Sequence, residues 1–330
     1  MRRIAALLLA TALALSAALP SHTQPVAGGP IRLLKDINST LVGVASPTNL
    51  IAVRNTLYFV QEIEPYGREL WRSDGTTAGT RLVKDIHPGL IDGELSELTN
   101  VNGTLYFGAN DAVIGSELWK SDGTEAGTVV VKDLRVGAAG SFPDNLIAMG
   151  STLYFVADDG AGGRELWKSD GSAAGTVRVK DINPGGDSYP SELTAAGNTL
   201  YFVAEDGSSG RELWKSDGSA NGTVRVKDIN PGAAGSTPQD ILPAQPAGRA
   251  LFTADDGAHG IELWQTDGTA LGTALVQDLV PGAGSSAPYH MMASNGRLFF
   301  GVYVPDTGAE LYMLDMADLP YTIYLPPVIR

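Results

Sequence analysis

Glu165-Leu166-Trp167-Lys168-Ser169-Asp170-Gly171 is the stretch that decides the fold, because its opening tripeptide returns at a nearly fixed interval. Trp71, Trp119, Trp167, Trp214 and Trp264 each follow Glu-Leu, and Tyr312 takes a sixth place in Glu310-Leu311-Tyr312. The spacings are 48, 48, 47, 50 and 48 residues, a period that marks a repeat array. A side chain present in every copy is more readily explained by packing than by one-off chemistry.

The fourth copy gives the strands. Leu193–Ala196 is a short run ending at the turn signal Gly197-Asn198, and Thr199–Ala204 follows with apolar residues on both faces. A glycine-rich loop leads to Arg211–Lys215, Ser216–Gly222 turns the chain, and Val224–Ile229 is the fourth strand. A sheet covered on both faces suits a propeller blade. Small residues in the first strand (Ala52, Ala148, Ala195, Ala244, Ala293) place that strand innermost. Five copies are complete, and a sixth has three strands ending at Glu310-Leu311-Tyr312. Arg32–Ile37 is an orphan fourth strand, since Lys35-Asp36-Ile37 matches Lys84-Asp85-Ile86 and Lys180-Asp181-Ile182. The expected fold is an all-β, six-bladed β-propeller over 31–316, closed by this N-terminal strand joining the C-terminal blade. The competing closure strand is Tyr321–Leu325, bounded by Pro320, Pro326 and Pro327, in a tail spanning 317–330.

These motifs (Glu-Leu-Trp, Ser-Asp-Gly-Thr, Val-Lys-Asp-Ile) resemble the ELWxxDGT repeat family of secreted bacterial proteins, sometimes labelled hyalin-like. The resemblance covers about 31–315 and implies secretion and a propeller-like array. It implies no activity and transfers no catalytic residues. Copy five departs at Gln277, where the others carry Lys, and copy six departs at Tyr312 and at Leu314-Asp315-Met316, where Asp-Gly is lost.

Residues 1–24 read as a signal peptide, with Arg2 and Arg3 before the apolar stretch Ile4–Leu19. Its removal leaves no transmembrane segment and takes the formal charge from −14 to −16. That acidity disfavours nucleic acid. There is no cysteine, which excludes thiol catalysis and thiolate metal sites. A monomer is expected, secreted or at the cell surface.

The repeated Glu is expected to pair with a basic residue or cap a turn in its own blade. The repeated Asp-Gly should form a β-turn, and the tryptophans should pack between blades. Non-repeated residues on the face formed by the second-to-third-strand loops and the blade-to-blade connections are the binding candidates. The carboxylates singled out are Asp158, Asp159, Asp206, Asp255 and Asp256. With them go His87, His259, His290 and Tyr289, grouped across blades five, six and one. The leading expectation is a non-enzymatic binding module for an extracellular glycan or protein, with no cofactor and calcium as the candidate cation. The alternatives are a propeller hydrolase or lyase using the His87/His259/His290 sector, or an adhesion scaffold. No HExxH, GxSxG or paired-carboxylate spacing supports catalysis.

Overall fold

The computed structural model describes residues 31–37 and 46–319. They form six antiparallel sheets, each a meander in chain order, five of four strands and one of three. Strands are numbered β1–β23 along the chain. Blade one is β1 (Thr48–Val53), β2 (Thr56–Ile63), β3 (Gly67–Ser73) and β4 (Arg81–Lys84). Strands β5–β20 build blades two to five over 96–132, 144–178, 191–225 and 239–277. Blade six is β21 (Tyr289–Ser294), β22 (Arg297–Val304) and β23 (Gly308–Asp315). Among the described residues the only helix is the 3-10 turn Met316–Asp318, and no helix is long and apolar enough to cross a membrane.

First strands of successive blades touch one another from blade one through blade six, so they surround a common axis and the fourth strands lie outermost. The approach of β21 to β1 is weaker than any of these. Second strands are buried on both faces, as in Leu200–Ala204. The cause is a neighbour on each side. Leu166, Val179 and Ile182 of blade three share one core with Leu200, Phe202 and Trp214 of blade four. Trp119, Trp167, Trp214 and Trp264 are therefore wedges between blades, as the sequence suggested, while Trp71 is buried and stacks on Phe59 of its own blade.

Polar grips reinforce every apolar joint up to blade five. Lys180 Nζ donates to the Thr223 carbonyl of the next blade at 2.8 Å and stands 6.0 Å from the Trp214 ring centre. Lys84, Lys132 and Lys227 donate in the same way to Thr128, Thr176 and Thr273. A third-strand cation makes a second grip, as Lys120 does on the Gly171 carbonyl at 2.8 Å. The joint between blades five and six lacks the first grip, because Gln277 stands where the lysine would be. Blade six has also lost the third-to-fourth-strand turn whose closing Thr carbonyl would receive it. These two departures are the two halves of one contact. Met316 and Leu319 instead share an apolar core with Leu251 and Leu263 of blade five.

The Asp-Gly turns behave as expected. Asp122 Oδ1 accepts from the Thr124 amide and hydroxyl, and Gly123 has φ +87. A Cβ at Gly123 would lie 2.3 Å from the Tyr58 hydroxyl of the preceding blade. Glycine is required there twice, by backbone and by space.

Two expectations need correction. Residues 31–36 form no strand, and blade six has three strands, so no pairing closes the ring. The N-terminal segment nevertheless rests on blade one, where Lys35 Nζ donates to the Thr80 carbonyl at 2.6 Å and Thr77 Oγ1 to the Leu34 carbonyl at 2.8 Å. Edge contacts of this kind need no ladder, which explains the docking without strand geometry. The signal peptide 1–24 and the tail strand Tyr321–Leu325 lie outside the described residues.

Candidate functional site

The loop face is built on a buried carboxylate. In blades two to five the repeated Glu is fully buried and accepts from backbone amides at the end of the fourth strand. A serine three residues before the next first strand adds a hydroxyl. Ser141 donates to Glu117, Ser188 to Glu165, Ser236 to Glu212, and Ser286 to Glu262. The Glu thus caps the blade-to-blade connection. The other expected option, pairing with a basic side chain, is not used. Burial raises the pKa of Glu117, Glu165 and Glu212, partly offset by these donors.

Blade one is the exception. Gly93 occupies the serine position, and Glu69 keeps only the Ile86 and His87 amides, at 3.0 and 3.1 Å. Burial pushes Glu69 up to about 7, and the nearby carboxylates Asp85 and Asp92 add to the rise.

Each connection delivers the chain into its first strand through a bulge, and the second residue of that strand is left-handed in all six blades. These residues are Asn49, Glu97, Asn145, Glu192, Asp240 and His290, with φ of 53, 57, 53, 57, 53 and 53. Non-glycine residues adopt this conformation at a cost, and the surrounding fold must hold them there. They lie on the innermost strands at the loop-face end, and all but the half-buried Asn145 are exposed. Glu192 Oε2 accepts from the Asp240 amide at 3.2 Å and Glu97 Oε2 from the Leu146 amide at 3.4 Å, bridging to the next blade. The backbone repeats in all six blades, whereas the side chain varies among Asn, Glu, Asp and His. Three carry carboxylates and none carries Lys or Arg.

A second left-handed series lies three residues earlier at Glu94, Phe142, Tyr189, Thr237 and Ala287. Phe142 and Tyr189 are 54% and 50% exposed. Arg164 Nη1 donates to the Phe142 carbonyl at 3.3 Å, and Arg211 Nη1 to the Tyr189 carbonyl at 3.0 Å. Arg164 also pairs with Asp144 at 2.6 Å, and Arg211 with the Ser191 hydroxyl at 2.5 Å. Two aromatic side chains are thus held outward on adjacent connections.

The acidic residues expected to form the binding face are largely committed to their own loops. Asp158 and Asp255, which end second strands, accept from Gly160 and Gly257. Asp159 accepts from Ala161 and Gly162, Asp206 from Ser208 and Ser209, and Asp256 from Ala258 and His259. Asp158 also pairs with Arg135 at 2.7 Å and Asp206 with Arg225 at 3.5 Å.

The histidines are not joined. His259 Nδ1 lies 2.8 Å from Asp256 Oδ2, which raises the imidazole pKa. His290 packs edge-on against Tyr289 at 5.2 Å, and both belong to β21 rather than to the connection before it. His87 Nδ1 is buried without a partner. Among the described residues no hydrogen bond, ion pair or ring contact links the three, and no group of three or more His, Cys, Asp or Glu is arranged to hold a metal ion. Of the candidates read from sequence, His290 alone belongs to the axial ring. The other five ring positions share no single identity, with Asn and Glu twice each and one Asp, so they do not stand out in the period as Glu-Leu-Trp does.

No family model and no curated protein matches the chain. Solved structures do. Prolyl oligopeptidase B from Galerina marginata, bound to a 35mer substrate, has a TM-score of 0.51 at 12% identity over 83% of this chain and 42% of its own. The same enzyme with a 25mer substrate gives 0.50 at 11%, over 83% and 43%. A puromycin hydrolase gives 0.48 at 12%, over 83% and 52%. The chain spans about half or less of each of these structures. At such identity the likeness is one of fold, and what it establishes is an all-β array of propeller type.

Proposed function

We propose that this chain is a non-enzymatic binding propeller, secreted or held at the cell surface, that takes its ligand at the axial mouth of the loop face. It belongs, on this reading, to the ELWxxDGT repeat family that its motifs resemble, and it acts as a monomer without cofactor. The observation that carries the reading is the ring Asn49, Glu97, Asn145, Glu192, Asp240 and His290. One costly backbone conformation recurs six times and displays four residue types, Asn and Glu twice each with Asp240 and His290. Packing accounts for repeated identities, whereas variable exposed residues on a fixed frame are how repeat proteins present a binding surface. Phe142 and Tyr189 beside the ring supply aromatic faces suited to a sugar or a peptide.

Peptide and glycan arrays, each run with and without millimolar calcium, test this directly. Binding should fall at least tenfold in Phe142→Ala/Tyr189→Ala and in Glu97→Gln/Glu192→Gln, with unchanged thermal melts. Binding that survives both double variants would remove the axial mouth from the proposal. A calcium effect lost in Asp255→Asn/Asp256→Asn would assign the cation to that loop.

A second reading is favoured by the fold likeness to prolyl oligopeptidase B, a peptide-processing enzyme. The chain would then serve peptide hydrolysis, by itself or beside a catalytic partner. Turnover of proline-containing peptides by the purified chain, lost on replacing His87, His259 or His290 by alanine, would establish the enzymatic form. Binding without turnover retains the first reading.

A further inference from the structure

We infer that the outer rim of the loop face over blades one and two is a docking surface for a basic protein segment that carries large apolar side chains, and that it is separate from the axial mouth.

The chain departs from its own repeat at this rim. Leu90 and Ile91, in the connection after blade one, stand where later connections have Ala138-Ala139, Ala233-Ala234 and Ala283-Gly284. Val136, in the connection after blade two, stands where the others have Pro88, Pro184, Pro231 and Pro281. Val113, in the second-to-third-strand loop of blade two, stands where the next three blades have Ala161, Ser208 and Ala258. Packing does not ask for these substitutions. Leu90, Ile91, Val113 and Val136 are 68%, 61%, 72% and 87% exposed. Small residues and proline build the same loops elsewhere without placing apolar surface in water. A group of large apolar side chains on neighbouring loops marks an interaction site, whereas scattered single ones do not.

The loops that carry them are seated on one another in series. A Cβ on Gly67, which opens β3, would lie 2.8 Å from the Ile91 carbonyl. The Asn110 amide donates to the Gly93 carbonyl at 2.8 Å, and Asn110 Nδ2 to Glu94 Oε2 at 3.0 Å, which ties that connection to the base of the Val113 loop. A Cβ on Gly115 would lie 2.8 Å from the Ala138 carbonyl, so the Val113 loop rests on the connection that carries Val136. The Val113 and Ile114 amides donate to Asp111 Oδ1 at 2.9 and 3.0 Å and fix the loop itself. A partner would therefore meet a preformed surface and lose little affinity to ordering it.

Charge decides the occupant. Glu62, Glu64 and Glu94 are exposed on the same loops. The arginines of this sector are already engaged: Arg68 Nη2 donates to the Thr48 hydroxyl at 2.8 Å, and Arg135 pairs with Asp158 at 2.7 Å. A second copy of this chain, with its formal charge of −14, would be repelled, and so would an anionic lipid surface. A protein segment with Lys or Arg beside Leu, Val or aromatic residues satisfies both parts of the rim. Its cations are steered by the carboxylates, and its apolar side chains are buried against Leu90, Ile91, Val113 and Val136.

Three fluorescent peptides test this against the full chain by anisotropy: alternating Lys and Leu, alternating Lys and Ser, and alternating Glu and Leu. The Lys-Leu peptide should bind, the Lys-Ser peptide at least tenfold more weakly, and the Glu-Leu peptide not at all. Lys-Leu binding should fall at least tenfold in Leu90→Ser/Ile91→Ser and in Val113→Ser/Val136→Ser. It should be unchanged in Leu271→Ser, which alters an equally exposed apolar residue in the third-to-fourth-strand turn of blade five, on the opposite face. All five side chains are exposed, so thermal melts should not move. Absent Lys-Leu binding, equal binding of Lys-Ser or Glu-Leu, survival of binding in both double variants, or an equal loss in Leu271→Ser would overturn the inference. A loss in Phe142→Ala/Tyr189→Ala as large as in the rim variants would overturn the separation and return the peptide to the axial mouth. A dimer that Leu90→Ser/Ile91→Ser dissociates, or pelleting of the chain with phosphatidylglycerol vesicles, would replace the basic segment with a second copy or a lipid surface.

Discussion

Blade four and blade six share one strand pattern but not one environment. Blade four buries Glu212 and Leu213 completely, while blade six leaves Glu310 and Leu311 in solvent. The tripeptide is nearly the same in both, so burial is not encoded by the blade itself. It is supplied by the fourth strand and by the flanking blades. Stability in such an array is a sum of blade terms and joint terms, and the two blades differ in the second.

The largest test of that difference compares two aromatics. Trp167→Ala should cost about 3–5 kcal/mol in urea melts, since a large buried ring and its 3.1 Å bond to the Ala157 carbonyl are both lost. Tyr312→Ala should cost less than half of this while β23 remains an edge. Equal losses would show that blade six is as enclosed as blade three.

Gly123→Ala comes next. It places a Cβ against the Tyr58 hydroxyl at a left-handed position and should cost roughly 2–3 kcal/mol. Gly296→Ala, in the first hairpin of blade six, meets nothing within 4 Å, so only the backbone cost of about 1 kcal/mol remains.

The third test concerns pH. Glu69 holds its proton up to about 7 in the folded chain, well above the ordinary carboxyl value. Between those two values the folded state binds more protons than the unfolded state. The contribution of this site is therefore fully present at low pH and falls as pH rises through about 7. Gly93→Ser would supply the hydroxyl found in blades two to five and flatten this dependence, with Glu69 and Leu95 shifting to clear a Cβ that would lie 2.9 Å from each, so its net gain above pH 7 should be under about 1 kcal/mol. Melts at pH 5 and pH 8 measure both effects, and an unchanged pH slope in the serine variant would count against the comparison between blades.

The smallest effect is local. Asp256→Asn should return the His259 pKa towards its ordinary value, read by NMR titration, with no measurable change in stability for so exposed a pair.

The repeated part of this architecture was legible in the sequence, because periodicity records what packing requires. Trp167, Asp122-Gly123 and the lysines of Lys-Asp-Ile each recur and each make a repeated contact. The kinship of Lys35 with the fourth-strand lysines was legible, and Lys35 does make their contact with a Thr carbonyl, but the strand and the ring closure expected of its segment do not form. The axial ring was not, since a left-handed φ at Glu97 or Glu192 leaves no mark on residue type, and glycine, the usual sign, is absent there. The role of Ser141, Ser188, Ser236 and Ser286 was missed for another reason. Each lies in an irregular connection, and its partner Glu is 23 or 24 residues away. The turn bonds of the acidic loops were not legible either, because a charge count does not register that Asp159 and Asp206 accept from amides of their own loops.

The lysine grips carry one more consequence. Each joins a residue to a partner 43–46 positions along, close to one repeat, and the grip is the same at every joint that has it. Duplicating a whole repeat would therefore insert a blade whose contacts on both sides are already chemically matched. Gene duplication can lengthen such a chain without redesigning any seam, so the number of blades is limited by the geometry of a circle rather than by the chemistry of its joints.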